Sequence, residues 1–335
     1  MKKYVNLFVF VFMIGACLSQ GRAQTKSAVS YKNPVVDIAM PDPTVIKAAD
    51  GYFYVYATES TRNVPIMKSK DLVEWTYCNT AFTNKTRPRF EPKAGIWAPD
   101  INYINGKYVL YYAMSVWGGE QTCGIGVATA DSPQGPFTDH GKMFRSNEIG
   151  VQNSIDPSFL QYEGRNYLVW GSFRGIYVIE LTADGLSIMP GAKKKRIAGT
   201  AFEAVYIHKH GDYYYMFASI GSCCQGVKST YKVVVGRSKK VWGPYKDKTG
   251  KPMLKNGYSL VIGANDHFVG NGHGSQIIQD DAGQDWLLYH GFSRSTPENG
   301  RILLLDQIKW DQEGWPYVEG GSPSYETQKA PVFNN

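Results

Sequence analysis

Apolar and aromatic positions in this chain gather in short runs entered through a glycine turn, and no amphipathic helical period persists between them. Five runs share one phrase: GYFYVYAT from Gly51, GKYVLYYAM from Gly106, GRNYLVWGS from Gly164, GDYYYMFAS from Gly211 and GQDWLLYHG from Gly283. Runs rich in Tyr, Phe, Val and Leu and bounded by turn residues predict β-strands. The glycines are separated by 55, 58, 47 and 72 residues, each interval long enough for four short antiparallel strands, which is one propeller blade. A second phrase brings an aromatic onto the outer part of most units, as in Ser69-Lys70-Asp71-Leu72 before Trp75, Gly135-Pro136-Phe137, Gly243-Pro244-Tyr245 and Gly314-Trp315-Pro316. No Pro- or Ser-rich linker divides the units. The expected fold is all-β, a single five-bladed β-propeller over residues 28–335. A β-sandwich would show similar strand spacing but does not require a fivefold recurrence.

The first 23 residues break the pattern. Lys2 and Lys3 precede an apolar run from Tyr4 to Ala16 and then small and polar residues, the layout of a secretory signal peptide too short to span a membrane permanently. Two cleavage sites are readable: a lipobox ending before an acylated Cys17, and an ordinary signal-peptidase site at Gly21-Arg22-Ala23. Either predicts export, to the periplasm or to a membrane held only by a lipid anchor at Cys17.

Composition narrows the partners. Aromatic residues make up 14% of the 335 and charged residues 19%, which suits an all-β protein that binds flat sugar faces and excludes disorder. The formal charge of +7 includes Lys2 and Lys3, and the other basic residues are scattered apart from Lys193 to Arg196, expected in an exposed turn; this is no nucleic-acid footprint. The chain is expected to act as a monomer. Beyond Cys17 the cysteines stand at 78, 123, 223 and 224, a spacing that matches no zinc pattern. Cys223 and Cys224 could form a vicinal disulfide in an oxidising compartment, but two buried thiols are the plainer expectation.

Candidate chemistry lies just upstream of the repeated glycines. Asp42 stands nine residues before Gly51, Asp156 eight before Gly164 and Glu203 eight before Gly211, while Trp97 and His273 hold the comparable places nine before Gly106 and ten before Gly283. In a propeller the innermost strands surround the axis, so these positions converge on one funnel. Carboxylates gathered there cannot all ionise without cost, and one should keep its proton near neutrality. A protonated acid beside an ionised carboxylate is what glycoside hydrolysis requires. Each residue also has a plainer role: Asp42-Pro43 and Asp156-Pro157 as turn starts, Glu203 as a lysine partner, Trp97 and His273 as packing.

The chain resembles glycoside hydrolase family 43, and within it the arabinan-degrading branch. The resemblance rests on Asp42-Pro43-Thr44-Val45, Trp97-Ala98-Pro99-Asp100-Ile101, Ser154-Ile155-Asp156-Pro157-Ser158, Phe202-Glu203-Ala204 and Gly272-His273-Gly274-Ser275, in order, and on Cys223-Cys224-Gln225-Gly226 leading into Ser229-Thr230-Tyr231-Lys232-Val233 and Val235-Gly236-Arg237-Ser238. It implies Asp42 as general base, Glu203 as general acid and Asp156 as the residue that tunes and positions the acid, with inversion at the anomeric centre. Inversion leaves room for a water, which would set the Asp42 and Glu203 carboxyls roughly 6.5 to 9.5 Å apart. The resemblance further implies a hydrated calcium, or sodium, near His273, and sugar contacts from Trp97 and Phe173. Plant cell-wall arabinan or arabino-oligosaccharides would be the substrate, with endo cutting of α-1,5 linkages as first choice. Exo release as by an arabinofuranosidase or β-xylosidase, and non-catalytic polysaccharide binding, are the alternatives. The sequence departs from the family pattern at Val205, Arg174 and Ile220-Gly221-Ser222, all at expected subsites.

Overall fold

The computed structural model describes residues 29–334 together with Met1; the leader expected over residues 1–23, with Cys17, lies outside them. Five antiparallel sheets follow one another along the chain, and within each the strands lie in sequence order. The first blade is built from Thr44–Lys47, Phe53–Tyr56, Pro65–Ser69 and Thr76–Thr80, the second from Gly95–Ile104, Lys107–Ser115, Gly124–Ala130 and Thr138–Arg145. Ser158–Tyr162, Arg165–Trp170, Ile176–Leu181 and Lys195–Ala198 form the third, and Glu203–His210, Tyr213–Ile220, Lys232–Ser238 and Ser259–Ile262 the fourth. The fifth comprises Phe268–Gly272, Asp285–Ser293, Ile302–Trp310 and Pro316–Tyr317, with the short Ile278–Gln279 also paired to its second strand. This is the expected five-bladed all-β propeller.

Each repeated glycine sits in the hairpin between the first and second strand of its blade. Gly51, Gly106, Gly164, Gly211 and Gly283 have φ of 82°, 84°, 72°, 55° and 78°, left-handed values that a Cβ would strain. The aromatic strands that follow supply the wedges between blades. Tyr56, Phe82, Tyr112 and Phe137 fill the first wedge, Tyr111, Phe144 and Trp170 the second, Phe202, Met216 and Tyr245 the third, Tyr215, Tyr289 and Trp315 the fourth, and Phe53, Trp286 and Leu303 the fifth. The closing aromatics Phe137, Tyr245 and Trp315 stand between the third and outermost strands of their blades, on the outer part as expected, and are buried between blades. Of the basic run, Lys195 and Arg196 open the outermost strand of the third blade rather than belonging to a turn, though all four side chains are exposed as expected.

The ring closes on the fifth blade. Ser30–Tyr31 pairs antiparallel with Gln328–Lys329, and the segment after it runs along Ile302–Trp310. Asn33 fixes that register: its Nδ2 donates to the Leu305 carbonyl at 2.9 Å and its Oδ1 accepts the Leu305 N–H at 2.8 Å.

Candidate active site

At the point where each innermost strand meets the axis, one non-glycine residue adopts left-handed backbone. These are Asp42, Ala98, Asp156, Ala204 and His273, with φ of 54°, 42°, 56°, 52° and 50°. Non-glycine residues tolerate this region only when their surroundings impose it, and such strain gathers at functional sites. The register revises the equivalence expected from glycine offsets. Asp42, Asp156 and His273 are true counterparts, whereas Trp97 and Glu203 each stand one residue before theirs. Ladder irregularities between Trp97 and Asp100 and between Glu203 and Tyr206 absorb the difference. All three carboxylates nevertheless reach one cleft of 720 Å³, whose lining also includes Trp97, Phe173, Trp117, Tyr231, His273 and Arg301. Every site residue expected from the sequence lies in its wall.

The three acids are nearly buried, at 8%, 7% and 7% exposure for Asp42, Asp156 and Glu203, so their partners decide their charge. Burial alone would raise the Asp42 carboxyl. The Arg301 guanidinium, 2.7 Å from its Oδ1, and the His273 imidazole, at 3.2 Å, outweigh that and hold it well below the usual carboxylate range. Glu203 moves the other way. Burial raises it, the negative charge of Asp42 adds to the effect, and hydrogen bonding from Ser172 and Tyr231 offsets only part. The Ser172 hydroxyl donates to Glu203 Oε2 at 2.6 Å. Asp156 is likewise raised, first by burial and then by Glu203 and Asp42, against the pull of His273. His273 is itself raised, because Asp42 overcomes its burial.

His290 completes the constellation as a neutral ring. Its Nδ1 accepts the Asp42 backbone N–H at 3.0 Å, so its proton sits on Nε2, and its 3.3 Å approach to Asp42 Oδ1 is no ion pair. Burial carries its pKa down to about 4, in keeping with that tautomer.

His290 belongs to a recurring set that went unrecognised in the sequence. Thr58 and Ser172 stand just beyond the second strand of blades one and three, Ser219 and His290 within the second half of that strand in blades four and five, and each reaches the next blade's entry to the axis. Thr58 Oγ1 accepts the Ala98 N–H at 2.6 Å, Ser219 Oγ the His273 N–H at 2.8 Å, and His290 Nδ1 that of Asp42, while Ser172 holds Glu203. Their signal was present: a polar residue follows the apolar run in four of the five repeated phrases, the second ending in Met114. Arg301 had no such marker, and Tyr231 stood out only within the Ser229-Thr230-Tyr231 motif of the resemblance.

The cleft walls are aromatic and mixed. Trp97 packs against the exposed Trp117 with ring centroids 5.5 Å apart. Phe173 is held by its N–H to the Phe202 carbonyl at 2.9 Å. Arg174 pairs across the rim with Glu120, 2.8 Å away. Cys223 and Cys224 are joined in a disulfide in the cleft lining, contrary to the expectation of two buried thiols; both are half-buried and share the wall with Gly221, Ser222 and Gln225. Beneath the acids, His273, Asp100, Asp156 and Gln276 line an axial cavity of 30 Å³, room for one or two water molecules. One imidazole with the side-chain oxygens of Asp100, Asp156 and Gln276 around a water-sized space suits a hard cation that would be held mainly through water, so the residues fit the implied ion.

A five-bladed propeller whose axial cleft holds one carboxylate ionised and two raised toward protonation has the apparatus of a glycoside hydrolase. The profile of glycosyl hydrolases family 43 matches residues 31–316, and the chain belongs to that family. It is 36% identical over 307 residues to the extracellular exo-alpha-(1->5)-L-arabinofuranosidase ArbA of Cellvibrio japonicus, covering 83% of this chain and 86% of that protein. It is also 36% identical over 290 residues to the extracellular endo-alpha-(1->5)-L-arabinanase 1 of Bacillus subtilis, covering 82% and 86%. Among solved structures, the Cellvibrio cellulosa alpha-L-arabinanase complexed with arabinohexaose superposes with a TM-score of 0.77 at 34% identity, covering 86% of this chain and 98% of that one.

Proposed function

We propose that the protein is an inverting hydrolase of α-1,5-linked L-arabinan that cuts within the chain. Asp42 activates the water, Glu203 protonates the leaving oxygen, and Asp156 positions and tunes Glu203. The observation that carries this reading is the opposite fate of two buried acids in one cleft: Asp42 held down by Arg301 and His273, Glu203 pushed up by burial and like charge. Arg301 and His273 both engage Oδ1 of Asp42, which assigns the water to Oδ2. Ser172 donates to Oε2 of Glu203, which assigns the transferable proton to Oε1. Trp97 and Phe173 offer apolar faces to the sugar.

Substrate and mode are supported by relatives named for arabinan. Incubation of linear arabinan should yield mixed oligomers at early times, and proton NMR should show the inverted anomer first. Glu203→Gln should lower kcat on arabinan by about 10²–10⁴-fold while sparing an aryl arabinofuranoside whose leaving group needs no proton. Equal loss on both substrates would remove Glu203 from the acid's role, and arabinose alone from the first minute would favour the exo reading suggested by the ArbA relative.

A hydrated calcium or sodium beside His273 would offset the crowded negative charge under the acids; chelator treatment followed by calcium addition tests it. Export is supported by relatives named extracellular. We further propose that the mature monomer begins near Gln24 or at an acylated Cys17, which mass spectrometry of the native protein distinguishes.

A further inference from the structure

Away from the cleft, His208 and His210 point to the same side of the strand Glu203–His210, two residues apart, as the twofold period of a strand dictates. Facing them across the seam between the fourth and fifth blades is Asp285, first residue of Asp285–Ser293. One donor atom from each of the three lies within 4.8 Å of the other two. We propose that these residues form a site for a divalent transition metal of the zinc class, which staples the fourth blade to the fifth.

His210 Nδ1 stands 3.7 Å from Asp285 Oδ2, too far for a hydrogen bond. It is close to the ~3.4 Å that separates two ligands of a tetrahedral ion whose bonds are about 2.0–2.1 Å long. The carboxylate is already oriented. Its side chain is 4% exposed, Trp310 Nε1 donates to Oδ2 at 2.8 Å, and Gln279 Nε2 donates to Oδ1 at 3.1 Å. Such outer hydrogen bonds aim first ligands and raise affinity. The His210 ring is fixed as well, stacked on Trp310 at 3.7 Å between centroids and 9° between planes.

Access and selectivity follow from the same surroundings. The His210 side chain is 39% exposed, so an ion can enter from solvent and keep a water as fourth ligand. Two imidazoles and one carboxylate favour zinc, cobalt, nickel or copper over calcium, unlike the oxygen-rich chamber under the acids. Glu203 and His210 are seven residues apart on one strand, roughly 23 Å at ~3.3 Å per residue. The ion therefore takes no part in hydrolysis and acts by binding the folded form more tightly than the unfolded one.

Chelator-treated protein titrated with zinc should take up one equivalent, and cobalt should give the visible spectrum of a nitrogen-ligated tetrahedral ion. His208→Gln and His210→Gln should each weaken zinc binding tenfold or more and still hydrolyse arabinan like the parent. Trp310→Phe should weaken it by about 10–100-fold through the loosened carboxylate. His273→Ala should leave the cobalt spectrum unchanged, which separates this site from the axial chamber. No uptake by the parent protein, or equal uptake by both histidine variants, overturns the proposal and leaves a plain side-chain contact between His210 and Asp285. Should a variant fail to fold, anomalous scattering at the zinc edge from soaked parent crystals decides: a peak among the three side chains supports the site, and its absence there rejects it.

Discussion

The Ala204 backbone N–H donates to Asp156 Oδ2 at 3.1 Å, which ties the third blade's acid to the residue directly after the fourth blade's acid, Glu203. Asp156 is thus tied to Glu203 twice, by this backbone anchor and by the repulsion between the two carboxyls, which raises Asp156. Asparagine keeps an oxygen for the Ala204 N–H but loses the charge, whereas alanine loses both. Asp156→Asn should therefore move the alkaline limb of the kcat/KM profile to lower pH, because the repulsion that raises Asp156 belongs to the pair and Glu203 alone no longer shares it. Asp156→Ala should lower kcat further, through misplacement. Identical profiles for parent and Asn variant would refute the electrostatic part.

Arg301 governs the opposite limb. Its guanidinium is the largest influence holding Asp42 below the usual range against burial. Arg301→Met should let burial prevail, raise Asp42, and shift the acid limb of kcat/KM upward by about one pH unit or more. A purely structural role would lower the rate without moving that limb, so the profile rather than the rate is the measurement.

These two partners show what the chain reveals locally and what it hides. The hairpin glycines and the aromatic runs after them are local patterns, so blade number and order could be read from spacing. The Asp42-Pro43 and Asp156-Pro157 steps were legible for the same reason: a short motif carries its own conformation. Arg301 is 259 positions from Asp42, and ring closure alone makes them neighbours. Glu203 misled by one residue, since a ladder irregularity changes which side chain faces the axis without changing the count to the next glycine. The histidines at 208 and 210 sat in plain view as an alternating pair, but their partner Asp285 belongs to another blade.

Gly272 precedes His273 for a packing reason. A Cβ there would lie 2.2 Å from Tyr231 Cδ1, and that ring is 2% exposed with no room to retreat. Gly272→Ala should destabilise the fold by about 1–3 kcal/mol, the usual cost of overfilling a packed core. Because Tyr231 borders Glu203, activity per folded molecule should fall too; denaturant unfolding monitored alongside kcat separates the two losses. Unchanged stability would mean that the strand shifts freely, contrary to its place in the wall.

Asn33 offers the sharpest test of closure. Its amide satisfies both the N–H and the carbonyl of Leu305, and Nδ2 also reaches Asp306 Oδ2 at 3.1 Å, all within the seam between the chain's first segment and the last blade. Asn33→Ala would orphan the buried Leu305 N–H, at about 1–3 kcal/mol when unpaired, while the Leu305 carbonyl keeps the Tyr31 hydroxyl at 2.9 Å. The expected result is a lower denaturant midpoint with kcat unchanged at temperatures where the variant stays folded, since the cleft residues keep their own partners. Asn33→Asp should recover the bond from the Leu305 N–H but not the one to its carbonyl, and it sets a carboxylate against Asp306. It should therefore be no more stable than the alanine variant. A midpoint equal to the parent's in either variant would show that the inter-blade aromatic wedges hold the ring closed without this clasp.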